Sequence, residues 1–186
     1  MNIFAGIVVL SFMAAGISTV TALELTRYKI TTTLIGSIAG LVSFTTLAVV
    51  ISFTKLPLVA TTVVTTGLAI FVTYWLWHQY NLKDKWLSFK INKPANLVLF
   101  STLLLSLLLS PKLIYPDTDG IATSIINAWG DLGWHVASIT TLTENPTLPF
   151  PNPILADTTL TYPFLSNYLS AMLVSVGATI PASIVI

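Results

Sequence analysis

Long apolar stretches separated by short polar segments form the main pattern along this chain. About 20 mostly apolar residues are enough for a helix to cross the roughly 30 Å hydrocarbon layer of a membrane. Five stretches meet this requirement, and none of them alternates apolar and polar residues as a spanning strand would. They run from about Ile3 to Leu23, Ile30 to Phe53, Leu56 to Trp77, Ala95 to Ile114 and Phe164 to Ile186. The pattern predicts an all-α, multi-pass membrane protein with five transmembrane helices.

Composition supports this class and excludes others. Of 186 residues, 54% are hydrophobic and 8% are charged, whereas a soluble domain carries about 25% charged residues. This composition excludes a soluble single-domain enzyme and a disordered chain. The net charge of +1 gives no field that would attract nucleic acid. The chain has no cysteine, which excludes disulfides, thiolate catalysis and cysteine-ligated metals.

The basic residues predict the orientation in the membrane. Six of the eight lysines and arginines lie in the loops after the first and third predicted helices, which must share one side. These six are Arg27, Lys29, Lys83, Lys85, Lys90 and Lys93. By the positive-inside rule that side is cytoplasmic. We therefore expect four helices in residues 1–115, an extracytoplasmic loop in 116–163 and a fifth helix in 164–186 of a cell-membrane protein.

The second predicted helix carries a small-xxx-small pair. Gly36 and Gly40 are four residues apart, so both lie on one face of the helix. Two glycines on one face let a neighbouring helix approach closely. The alternative is that both face lipid; we expect a helix–helix interface.

The predicted outer loop is acidic and contains no basic residue. It holds five of the seven acidic residues, and neither Lys nor Arg occurs after Lys112. The five are Asp117, Asp119, Asp131, Glu144 and Asp157. A loop of this length exceeds what a connection between two helices requires, which makes it a candidate for function.

An amphipathic helix is predicted inside this loop. Spacings of three and four residues place one set of apolar side chains on one face and a polar set on another. The apolar set is Ile125, Trp129, Leu132, Val136 and Ile139. The polar set is Ser124, Asn127, Asp131, His135 and Ser138. Such a helix would lie along the outer membrane surface with its polar face directed into the cavity that the protein encloses.

Asp131 and His135 are neighbours on the polar face because they are four residues apart. This spacing fits an acid/base pair, two ligands of a metal site or an ordinary solvated ion pair. Two ligands are too few to define a metal site. The spacing alone leaves the three interpretations open.

A proline-rich segment follows the predicted amphipathic helix. Residues 145–153 contain four prolines, which disfavour helix and favour a stiff, extended backbone. The segment would either form a wall of a cavity or only return the chain to the membrane.

The outer loop resembles that of bacterial GT-C type membrane glycosyltransferases. The resemblance covers about fifty residues, from Trp129 to Gly177. It rests on Gly130-Asp131, on His135, on the proline- and asparagine-rich stretch, and on the run from Leu160 to Ala171. Family members usually place this loop after their first membrane helix and contain more than five helices. The resemblance therefore predicts that further helices follow Ile186 or that a partner subunit supplies them.

The resemblance implies a function and a set of site residues. Members of the family transfer a sugar from a polyprenyl-phosphate-linked donor, using an acidic residue on a loop helix at the outer membrane surface. Here that residue is Asp131, the expected catalytic base. We take five other polar side chains of the loop as candidate substrate contacts: His135, Asn127, Glu144, Asp157 and Tyr162.

The departing phosphate requires a nearby positive charge. A divalent cation would supply it, and so would Lys112, whose other interpretation is a lysine that extends to the membrane surface. The alternative function is a non-catalytic membrane partner subunit or a transporter fragment. The predicted spans contain essentially no ionisable residues in their interiors, which counts against an ion or proton pathway.

Overall fold

The computed structural model describes residues 2–91, 93–117, 120–123, 129–161 and 163–184. Most of this part of the chain is helical, and a 3-10 turn at Ser52–Thr54 continues the second helix. The elements are, in chain order, α1 (Ile3–Ala22), α2 (Lys29–Ile51), α3 (Leu58–Gln79), α4 (Leu82–Ser88), α5 (Lys93–Leu113), β1 (Ile114–Asp117), β2 (Gly120–Thr123), α6 (Trp129–Glu144), α7 (Leu165–Ser175) and α8 (Ile180–Ile184).

Among the described residues, three helices are long and apolar enough to cross a membrane. They are α1, α2 with its 3-10 turn, and α3, and they contain 20, 26 and 22 residues. Each coincides with one of the first three predicted stretches. The fourth stretch also forms a helix, α5, of 21 residues. That α5 crosses the membrane remains a prediction.

The fifth predicted spanning helix is wrong as a single helix. The chain forms α7, which has 11 residues, and then the separate short helix α8. At 1.5 Å per residue α7 is roughly 16 Å long, about half the thickness of the hydrocarbon layer. Helix α7 ends because Gly177 takes a φ of 97°. The amides of Gly177 and Ala178 then donate to the carbonyls of Val174 (2.9 Å) and Leu173 (3.0 Å), which is a Schellman cap.

The predicted glycine contact is confirmed. A Cβ atom added to Gly36 would lie 2.5 Å from Cα of Ile17, and one added to Gly16 would lie 2.7 Å from Cα of Gly40. Both distances are too short for real atoms. Helices α1 and α2 therefore cross with their backbones in direct contact, which only glycine allows at these positions.

One end of the bundle, which we call the basic end, comprises the α1–α2 loop and the segment from α4 to the start of α5. The amide of Lys29 donates to the carbonyl of Lys90 (3.1 Å), and the amide of Lys90 donates to that of Arg27 (2.8 Å). Lys85 forms an ion pair with Glu24 at 2.7 Å. The two basic loops therefore contact each other, as expected for loops on one side of a membrane.

The opposite end, which we call the α7 end, is where α7 packs against the first three helices. The side-chain amide of Asn2 donates to the carbonyl of Val176 at 3.2 Å. The hydroxyls of Thr62 and Ser175 lie 3.4 Å apart. These contacts bring the start of α1 and the start of α3 onto the end of α7.

The all-α prediction needs one addition. Strands β1 and β2 pair antiparallel, with Ile114 opposite Thr123 and Asp117 opposite Gly120. This hairpin follows α5 directly and forms the first part of the predicted outer loop.

Candidate functional site

The amphipathic helix predicted in the outer loop is present as α6, although residues 124–128, with Asn127 among them, lie outside the described residues. The face that it buries differs from the predicted one. Ile139 is buried as expected, but Ser138, assigned to the polar face, is only 1% exposed. The reason is that α6 packs against α7, so its buried face is set by that neighbouring helix. That α6 also lies along a membrane surface remains a prediction.

His135 is held by a side chain from α7. Its Nδ1 atom lies 2.8 Å from Oδ1 of Asn167, which is 32 residues further along the chain. Asn167 is only 4% exposed. A buried amide needs a hydrogen-bond partner, because losing one costs about 1–3 kcal/mol. The contact therefore fixes the position of the imidazole ring relative to α7.

The direction of this hydrogen bond determines which ring nitrogen of His135 remains available. An amide oxygen only accepts hydrogen bonds. Nδ1 of the ring therefore carries the proton and donates a hydrogen bond to the amide oxygen of Asn167. The second nitrogen, Nε2, is left to accept or donate elsewhere. His135 itself is half-buried. The ring is thus held on its Nδ1 side by Asn167.

Asp131 lies one turn before His135 on α6. It is exposed and sits in the first turn of the helix, where the positive end of the helix dipole favours a carboxylate. An exposed carboxylate beside an oriented imidazole can accept a proton from a bound hydroxyl group.

Of the other predicted contact residues, Glu144 is on the same helix as Asp131 but far from it. Glu144 is exposed at the far end of α6, roughly 20 Å from Asp131 along the helix axis. Asp157 is exposed four residues after the proline-rich segment, and it adopts a φ of 59°. Tyr162 and Asn127 lie outside the described residues. Of the five predicted contacts, the structure places His135 next to the expected base.

The proline-rich segment contains no helix, as predicted. From Phe150 onward the chain folds back on itself. The amide of Leu160 donates to the carbonyl of Phe150 at 2.8 Å, and that of Asn152 donates to Thr158 at 2.9 Å. Phe150 is 2% exposed. Its ring centroid lies 5.4 Å from that of Tyr168 on α7. The segment is therefore a closed loop, docked on α7 by a buried aromatic side chain.

The predicted cation has no confirmed ligands. Within the described part of the chain, no group of three or more His, Asp or Glu side chains is close enough to hold a metal ion. The Lys112 side chain lies outside what the structure describes. The source of positive charge for a phosphate group remains a prediction.

Asn167 is the site residue that sequence reasoning missed. It lies in the fifth apolar stretch, which hydropathy predicts as a transmembrane helix. An amide side chain in such a stretch is a signal for an interhelical hydrogen bond. The sequence therefore contains this signal, but only the three-dimensional structure identifies the hydrogen-bond partner.

A comparison with protein-family models, with curated proteins and with solved structures finds no match to this chain.

Proposed function

We propose that this chain belongs to a membrane glycosyltransferase of the GT-C type, which transfers a sugar from a polyprenyl-phosphate-linked donor. The observation that carries the proposal is the hydrogen bond between His135 and Asn167. These residues come from the two separate runs of sequence on which the resemblance rests. This hydrogen bond brings the two runs into contact, as expected for parts of one site.

In the proposed reaction Asp131 is the general base. The oxygen of the acceptor hydroxyl attacks the anomeric carbon of the sugar, and its proton passes to the Asp131 carboxylate. The bond between the anomeric carbon and the phosphate oxygen breaks, and the electron pair leaves with the polyprenyl phosphate. Because phosphate is a good leaving group, this reaction does not require the second carboxylic acid of a glycosidase. His135, held by Asn167, contacts the substrate beside the base.

The test is a transfer assay with the membrane-embedded protein and a panel of polyprenyl-phosphate hexoses carrying a radiolabelled sugar. We expect label to leave the lipid donor with the wild-type protein. Asp131→Asn should lower the rate by about 10²–10⁴, the range expected for loss of a general base. Glu24→Gln is the matched control, because it removes a carboxylate from the basic end and should leave the rate unchanged.

Two outcomes would contradict the proposal. One is the absence of transfer from every donor with the wild-type protein. The other is full activity of Asp131→Asn in membranes that contain normal amounts of the protein. Either result would favour the second candidate, a non-catalytic partner subunit.

One feature of α5 supports that second candidate. Among its described side chains, large apolar groups such as Leu97, Val98 and Phe100 are about two-thirds exposed. A helical surface of this kind packs against lipid or against the helices of another membrane protein.

A further inference from the structure

A continuous groove runs along the seam between α1 and α3. Its middle part has a volume of about 510 Å³ and is lined by residues that include Ile7, Ile70 and Trp77. A second part of about 340 Å³ shares Ile7 and Ile70 and continues past Gly67 toward the α7 end. Since Trp77 and Gly67 are ten residues apart on α3, roughly 15 Å of groove separates them.

The lining of the groove is apolar even where hydroxyl groups occur. Ser11 donates to the carbonyl of Ile7 at 2.6 Å. Thr73 donates to the carbonyl of Ala69 at 2.8 Å. Both hydroxyls are satisfied within their own helices, so neither offers a hydrogen bond to an occupant. The groove therefore suits a hydrocarbon chain.

At the basic end a polar recess adjoins the groove at Trp77. This recess has a volume of about 260 Å³ and is lined by Trp77, His78, Asn81, Lys83 and Asp84. Trp77 belongs to both the groove and the recess. One molecule with an apolar tail and a polar head could therefore occupy both.

The charge of the basic end as a whole favours a negative head group in the recess. Among the described residues the only ion pair joins Lys85 to Glu24, so the ammonium group of Lys83 has no acidic partner. Asp84 lines the same recess without pairing with Lys83. The two loops of this end carry six basic residues against two acidic ones, Glu24 and Asp84. Such clusters beside apolar helices attract anionic phospholipids.

We propose that the α1–α3 groove is a binding site for an anionic phospholipid. One acyl chain lies in the groove from Trp77 toward Gly67, and the phosphate head group contacts Lys83, His78 and Asn81. The head-group recess is at the basic end, whereas Asp131 is on α6, which packs against α7, and the proposal does not depend on the glycosyltransferase proposal.

The head-group part of the proposal is tested by lipid retention. The detergent-purified protein is mixed with equal amounts of phosphatidylglycerol and phosphatidylcholine of identical chain length, and bound lipid is counted by native mass spectrometry. We expect the first bound lipid to be phosphatidylglycerol, at least fivefold over phosphatidylcholine. Lys83→Gln should reduce this preference by about fivefold, the factor for one lysine near an anionic lipid. Lys90→Gln removes the same charge from the same end and should leave the preference unchanged.

The acyl-chain part is tested by filling the groove. Gly67 lines the groove, and a Cβ atom added to it meets nothing within 4 Å, so Gly67→Phe places an aromatic side chain at an uncrowded point of the groove. We expect it to reduce retention of both lipids severalfold at an unchanged melting temperature. Gly133→Phe is the matched control, because a Cβ atom there also meets open space. It should retain lipid as the wild type does.

Three results would overturn the proposal. The first is equal retention of the two lipids by the wild-type protein. The second is an equal loss of preference in Lys83→Gln and Lys90→Gln, which would indicate diffuse surface charge. The third is a lipid-free dimer that Gly67→Phe converts to a monomer, which would show that a second copy of this chain occupies the groove.

Discussion

The two ends of the helix bundle are held together by different kinds of contact. At the basic end, the ion pair between Lys85 and Glu24 has side chains that are 29% and 56% exposed. Lys85 also donates to the carbonyl of Ala22, the last residue of α1, at 3.2 Å. At the α7 end, by contrast, Phe150 and Tyr168 are almost fully buried and Asn167 is 4% exposed. The basic end therefore combines an exposed ion pair with backbone hydrogen bonds and a small buried cluster of Ala22, Leu76 and Leu82, whereas the α7 end is joined by buried aromatic rings and a buried amide.

This difference has consequences for stability and for function. Exposed ion pairs contribute little, with a typical range of about 0–1 kcal/mol, because water and salt screen them. A buried aromatic side chain contributes several times more. Buried contacts also restrict the relative positions of the contacting groups more than exposed lysine side chains do. A site that must orient an imidazole is better placed at the α7 end, where His135 and Asn167 lie.

The largest expected effect is at the aromatic cluster of the α7 end. Phe150→Ala removes a side chain whose centroid lies 5.0 Å from that of Phe164 and 5.4 Å from that of Tyr168. We expect a loss of about 3–5 kcal/mol in the free energy of unfolding, measured by denaturant titration in detergent micelles. Ile154→Ala is the control in the same loop, because Ile154 is 65% exposed and its loss should change little.

If Phe150→Ala cost no more than Ile154→Ala, the α7 end would not depend on burial. The two ends would then not differ in how much buried contacts contribute to stability.

A smaller effect is expected where α7 ends. Gly177 has a φ of 97°, and a Cβ atom there would lie 2.5 Å from Nδ2 of Asn2. Gly177→Ala should therefore cost about 1–2 kcal/mol for the backbone conformation, with an added cost for the contact with Asn2. Gly67→Ala is the opposite control, because its Cβ atom meets open space within a helix. It should leave stability unchanged or raise it by up to about 1 kcal/mol.

The same substitution in an Asn2→Gly background separates the two causes. We expect the cost of Gly177→Ala to fall there but to remain above zero, since the backbone conformation is unchanged. No cost in either background would show that the α7–α8 break is adaptable rather than fixed by glycine.

The sequence predicted the helices well where hydropathy alone determines them. The first three predicted stretches coincide with α1, α2 and α3 to within about two residues, because each is bounded by charge or proline. The contact at Gly36 and Gly40 was also predictable, since backbone contact between helices needs glycine and little else.

Hydropathy failed to predict where a helix ends when the end depends on backbone conformation and not on how apolar the side chains are. Residues 164–186 are apolar throughout, yet Gly177 ends α7 and Pro181 lies in the first turn of α8. Glycine after a helix and proline at the start of the next are recognisable signals, which the apolar composition obscured. The buried face of α6 was mispredicted at Ser138 for a different reason. Its burial depends on α7, which periodicity within α6 cannot reveal.

The smallest expected effect is at the basic end and depends on pH. The hydrogen bond and charge of Lys85 hold the pKa of Glu24 below its usual value of 4.5, with a lesser contribution from Arg27. A carboxyl whose pKa is lowered by folding contributes stability above its unfolded pKa and loses it as pH falls through the folded value. We expect the difference in melting temperature between wild type and Lys85→Met to be small and constant from pH 7 to about 5, and to shrink under stronger acid to the part contributed by the hydrogen bond of Lys85 to Ala22.

Glu24→Gln and the double variant complete a thermodynamic cycle for this pair. Their coupling should decrease with added salt, because both side chains are exposed to solvent. A coupling that grew on acidification, or that equalled the loss in Phe150→Ala, would contradict the assignment of this end to screened, exposed charges. Contacts at the basic end would then stabilise the fold as much as those at the α7 end. The argument that an oriented imidazole is better placed at the α7 end would no longer hold.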